Sequence, residues 1–252
     1  MIAPNDQITD TPSRQGFPWL TLLVSAVALA ILLALGTWQM ERLRWKEALI
    51  ATIDQRIEST PAPLAEIEAL YARTGDVDYW PVALKGVFLN QGERHFLATH
   101  DGQSGFHVYT PLRLEDGRIV FVNRGFVPYD RKDPSARPGS LPEGEVAING
   151  LARNPLSEKP SFIVPDNEPA KNVFYWKDLP AMAASAGLPE GATVLPFFVD
   201  AARSEAGSLP IGGVTLIQQP NNHLQYAMTW YGLAAVLAVI VAMWLFGRRK
   251  RP

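Results

Sequence analysis

The chain has 252 residues, 47% of them hydrophobic, and a formal net charge of −2. That near-neutral balance argues against nucleic acid as a partner, because phosphate binding depends on clustered Lys and Arg. The absence of cysteine excludes disulfides, thiolate metal sites, iron–sulfur clusters, covalent c-type haem attachment and thiol copper chaperones.

Residues 1–16 read as a polar, disordered leader. The run Phe17 to Leu35 follows, 19 residues without a charge. A cleaved signal peptide is the rival reading, but the run is long for a signal core and its leader (Asp6, Asp10, Arg14) is net acidic. An uncleaved membrane span is therefore expected. Beyond it, Leu43, Leu49, Ile50, Ile53 and Ile57 keep a helical spacing, which predicts an amphipathic helix leaving the membrane. Pro61 and Pro63 break it, and a short helix is expected over 64–72.

Strands come next. Runs at 80–88 and 94–98 flank Asn90-Gln91-Gly92. The runs at 106–114 and 118–126 flank Asp116-Gly117, a hairpin turn signal. Another strand is expected at 146–152, after a Pro/Gly-rich loop over 134–144. Asp178 can cap a helix over 179–186, with Gly187 as its stop. Runs at 197–200 and 214–216 complete the strands. From Tyr226 to Phe246 the chain again has 21 residues without a charge, about the length that crosses a bilayer.

The fold class is α+β: two terminal transmembrane helices enclose an antiparallel β-dominated extramembrane domain with a few short helices. The expected boundaries are a leader at 1–16, a span at 17–38, the β-rich domain at 39–222, a span at 223–246 and a basic tail at 247–252. Arg248, Arg249, Lys250 and Arg251 hold the C-terminus in the cytoplasm, so the N-terminus is also cytoplasmic and the domain lies outside. Arg42, Arg44 and Lys46 after the first span oppose this orientation. The tail is the denser cluster, and a long domain translocates despite such charges.

His223 opens the second apolar segment. An unpartnered imidazole near hydrocarbon is costly, so its presence asks for a reason. With Tyr226, Ala227, Trp230 and Ala234 it recurs at three, four and seven residues, on one helix face. An imidazole beside aromatic and small residues suits a porphyrin, whose iron is commonly held by an axial histidine. The alternative is an interfacial aromatic belt with His223 facing water. Arg42 and Arg44 emerge at the same side, where they can pair with haem propionates or with lipid phosphates. Arg124, at a strand end, can anchor an anion or sit in a turn. Ile211-Gly212-Gly213 can cradle an anion or form a tight turn. His95, His100 and His107 match no metal-binding spacing. No P-loop, catalytic triad or paired-carboxylate pattern is present, so an enzyme is not expected.

Several blocks resemble the surfeit locus protein family, the assembly factors of cytochrome c oxidase. They are Gly36-Thr37-Trp38-Gln39 with Arg42 and Trp45-Lys46, then 81–88, 105–111, 122–128, 198–201, 210–215 and 221–233. They stand in the family's order. The resemblance implies a two-span protein of the bacterial inner membrane whose central domain faces the periplasm. It implies transient binding of haem a, received from haem a synthase, and assistance with its insertion into oxidase subunit I. His223 then corresponds to the proposed haem-iron ligand and Trp230 to the tryptophan associated with it; Tyr226, Arg42 and Arg124, read from the residues alone, are the further candidate contacts. A cofactor-free scaffold that docks oxidase subunits is the alternative function.

Overall fold

The computed structural model describes residues 19–205, 207–215 and 220–249. The leader at 1–16, the first two residues of the expected span, Leu216 and the end of the basic tail lie outside the described residues. The chain divides into two compact units, described in turn: residues up to Leu49 with those from Pro220 onward, and Ile50–Gln219.

The first unit is a helix pair. α1 (Trp19–Ile57) is 39 residues long, and its C-terminal turns belong to the second unit. α4 (His223–Arg249) has 27 residues. Both are long and apolar enough to cross a membrane, and most of their apolar side chains are exposed, as lipid-facing helices require. Ala227 and Ala234, a heptad apart on α4, are buried, as are Leu43 and Gly36 on α1. The close approach is at Gly36: a Cβ there would stand 2.7 Å from the ring of Tyr231. Tyr231 then reaches Thr37, with the two hydroxyls 3.1 Å apart.

The second unit is built on seven strands: β1 (Ala62–Pro63), β2 (Pro81–Phe88), β3 (Arg94–His100), β4 (Gln103–Leu114), β5 (Ile119–Pro128), β6 (Glu145–Arg153) and β7 (Val194–Ala201). Their order is β1-β2-β6-β7-β5-β4-β3, with β2 also pairing with β4. That extra pairing closes β2, β6, β7, β5 and β4 into a ring, so the sheet is a small barrel with β1 and β3 attached outside the closure. Gly86 makes the corner: it pairs with both Leu114 and Val146, and a Cβ there would meet the Arg113 carbonyl at 2.3 Å.

Five of the seven pairings are antiparallel; β1–β2 and β5–β7 are parallel. The sheet is thus mixed but antiparallel-dominated, as expected from the hairpin turns; the parallel β5–β7 pairing arises because β7 returns between β5 and β6 after a long excursion that carries no turn signal. Expected strand 214–216 is also absent as far as it is described: Val214 and Thr215 are irregular.

Val82, Leu84, Leu112, Val120, Val122, Phe197 and Val199 cluster in one core. α2 (Leu64–Thr74) adds Ile67 to it, and Gly75 ends that helix at a φ of 68°. The outer wall carries Tyr109, Phe121 and Phe198, covered by Phe174 and α3 (Leu179–Ser185). Asp178 caps α3 as the sequence predicts, its side chain accepting from the Ala181 amide at 3.0 Å.

Candidate functional site

In the helix pair, His223 is the first residue of α4, and its Nδ1 lies 2.7 Å from Oε1 of Gln39 on α1. An amide oxygen only accepts, so Nδ1 carries the proton and donates. Nε2 makes no hydrogen bond among the described residues; in the neutral imidazole it carries the lone pair. Trp230 is half-buried two turns along, while Tyr226 is 55% exposed. Arg42, one turn beyond Gln39, is exposed, its guanidinium 4.5 Å from the centre of the Trp45 ring. Chemically this is a pinned imidazole whose second nitrogen has no partner among the described residues, with aromatics along its helix and a solvent-accessible cation.

The domain's polar groups are arranged differently. Glu93 is buried just before β3, with His95 Nε2 2.8 Å from its Oε1, and Arg137 bonded to the same oxygen. Burial alone would raise the Glu93 carboxyl. The close His95 contact and the Arg137 charge outweigh it and hold the group below the usual carboxylate range. Arg124 completes this cluster: it donates to the Ser140 carbonyl, lies 4.0 Å from Glu93 and sits over the Phe88 ring at 5.1 Å. Burial pulls its guanidinium down to about 10, aided by Arg137 and opposed by Glu93.

A second cluster surrounds Asp200. Its carboxylate accepts from Asn123 Nδ2 and from the Thr215 hydroxyl, both at 2.9 Å, and faces Arg153 at 3.8 Å. Three blocks that resemble the family therefore meet in one place: 122–128, 198–201 and 210–215. Gly125, at a φ of 126°, lets Ile211 pair with Phe126; a Cβ at Gly125 would meet the Ile211 carbonyl at 2.0 Å. His107 on β4 lies within this cluster's field. Burial pushes its imidazole down to about 4, with Lys177 and His100 adding to the effect and Asp200 opposing it.

Of the sequence-predicted site residues, His223, Tyr226, Trp230 and Arg42 lie in the helix pair, and Arg124 is committed to internal partners of the domain. The Ile211-Gly212-Gly213 amides hold no anion cradle: Ile211 donates to Phe126, Gly212 to the Ser204 hydroxyl and Gly213 to the Ala201 carbonyl. Among the described residues no group of three His, Asp or Glu side chains is placed to hold a metal ion. Gln39, Glu93, Arg137 and Asp200 had no functional or pairing role in the sequence reading. Gln39 had one signal, a polar amide in the aromatic end of an apolar helix.

A closed barrel inserted between two bilayer-length helices, with a half-engaged histidine opening the second, defines a class of membrane-anchored domain proteins. The model of the SURF1 family matches residues 26–235, and the chain belongs to that family. It is 36% identical over 239 residues to Surfeit locus protein 1 of Mus musculus, covering 88% of this chain and 73% of the mouse protein. The Homo sapiens protein of the same name is 35% identical over 240 residues, covering 88% and 75%. A SURF1-like protein of Monosiga brevicollis is 36% identical over 249 residues, covering 93% and 88%.

Proposed function

We propose that the protein is an assembly factor for cytochrome c oxidase in a bacterial inner membrane, carrying haem a from its synthase to subunit I. Both termini are cytoplasmic and the barrel domain faces the periplasm in this reading. The observation that carries it is His223, with Nδ1 engaged by Gln39 and Nε2 without a partner among the described residues. Haem a is cargo, held at its iron by Nε2 of His223. Trp230 and Tyr226 offer aromatic wall, and Arg42 offers a cation for a propionate. A site with one protein ligand and exposed flanks suits cargo that must leave. Nothing in the helix pair or the clusters at Glu93 and Asp200 resembles a catalytic constellation, and the protein acts in this reading without a reaction of its own.

The test is optical. Wild type and His223→Ala are purified from cells that make haem a, and their spectra recorded. A haem a band in the wild type that vanishes in the variant supports the carrier. Equal bands, or none in either, leave a cofactor-free scaffold in front.

One observation favours that second reading: the turn Ser161–Val164 presents Phe162, 91% exposed, beside Ile163, 76% exposed. Two adjacent large apolar side chains on a loop tip suit docking to a partner subunit. Replacing both with Ser should then lower oxidase assembly in cells while leaving any haem spectrum unchanged.

A further inference from the structure

We propose that Gln39 is the positioning residue of the His223 site: it selects the tautomer of the imidazole and sets its strength as a donor. This inference rests on the carrier reading above. The two residues are 184 positions apart, on different helices, yet the contact is 2.7 Å. A neutral imidazole has one N–H and one lone pair, and a partner at one nitrogen decides which is which. With an amide oxygen facing Nδ1, the proton stays there and the lone pair is fixed at Nε2. The same bond stops rotation of the ring, so Nε2 is held in one direction.

The identity of the acceptor matters as much as its presence. Metal-ligating histidines usually donate their second N–H to a carboxylate, a carbonyl or water, and the acceptor tunes ligand basicity. A carboxylate draws the proton strongly and makes the ring a more electron-rich donor. An uncharged amide polarises it less. Gln39 therefore gives an oriented ligand of moderate strength, which fits cargo that is bound and then surrendered. A glutamate at this place would favour retention over release.

Gln39 is also well placed to hold this geometry. It lies about one turn from Gly36, against which the Tyr231 ring packs, while Tyr231 also reaches the Thr37 hydroxyl. The two cross-helix contacts act on the same pair of helices, so the imidazole is referenced to α1 as well as to its own backbone. Sequence spacing along α4 alone does not reveal this dependence.

Two readouts test the proposal with the full-length protein in bilayer discs. The first needs no haem: 15N-histidine labelling of the cargo-free wild type and of Gln39→Leu, with the His223 signals assigned through His223→Ala. The wild type should show a single Nδ1–H tautomer, and Gln39→Leu a mixture. An Nε2–H tautomer in the wild type, or an unchanged tautomer in Gln39→Leu, overturns the proposal.

The second is haem titration with resonance Raman spectra of the iron–histidine stretch. Gln39→Leu should weaken binding roughly ten- to hundred-fold. Gln39→Glu should bind at least as tightly as the wild type, raise the stretching frequency and slow transfer of haem to an apo-acceptor. Wild-type affinity, stretch and transfer rate in both variants would overturn it. If instead His223→Ala binds haem like the wild type, the carrier reading fails, and the tautomer measurement still judges the Gln39 contact on its own.

Discussion

In the barrel domain, Glu93 is buried with His95 and Arg137 on one carboxylate oxygen, and Asp200 accepts from Asn123 and Thr215. In the helix pair, His223 has one nitrogen engaged and the other without a partner among the described residues. Polar groups of the first kind exist to complete a fold: a buried charge is tolerable only when partnered. Glu93 Oε2 also lacks a hydrogen bond, but it is sealed inside the domain, whereas His223 is only part-buried and its second nitrogen is open to a ligand. The distinction separates residues whose loss should unfold the domain from residues whose loss should change only what is bound.

The largest expected effect lies in the domain. Glu93→Ala leaves Arg137 buried without its carboxylate, and should cost about 3–5 kcal/mol of domain stability in thermal or denaturant unfolding. Haem affinity of the variant that remains folded should match the wild type.

Next is a pH effect from His107. It takes up a proton near 4 when folded and near 6.5 when unfolded. The unfolded chain therefore binds more protons between those values. Its contribution is fully present above pH 6.5 and is lost as pH falls to about 4, amounting to about 3 kcal/mol. His107→Gln should flatten that part of the stability–pH curve, as measured by denaturant midpoints across the range.

Thr215→Val removes one of the two short hydrogen bonds on Asp200 and should cost about 1.5 kcal/mol in the same assay. The smallest effect belongs to the helix pair: Arg42→Ala should leave stability unchanged and weaken haem binding by about two- to five-fold, more at low salt than at high. A large stability loss in Arg42→Ala, or a large affinity loss in Glu93→Ala, would break the division.

Local chemistry made part of the molecule legible in the sequence. Asp116-Gly117 specifies its hairpin and Asp178 its helix cap within four residues, and charge-free runs mark both long helices. What escaped was non-local. The β2–β4 contact that closes the barrel, and the parallel return of β7 between β5 and β6, join segments with no turn between them. Glu93 and Arg137 are 44 residues apart, Asn123 and Asp200 are 77, and each residue alone looks like an ordinary surface polar group. Arg124 shows the same limit: a strand-end arginine has no mark of an inward partner. His223 was visible because an imidazole beside an apolar run is costly in itself; Gln39 carried only a weak signal, because an amide near a membrane boundary needs no such reason.

The most direct measurement is a haem a titration of His223→Gly in bilayer discs, followed optically with and without added imidazole. The carrier reading predicts no ligated haem a band without imidazole, and a band resembling the wild type when imidazole enters the vacated place. A wild-type band in His223→Gly without imidazole would contradict it.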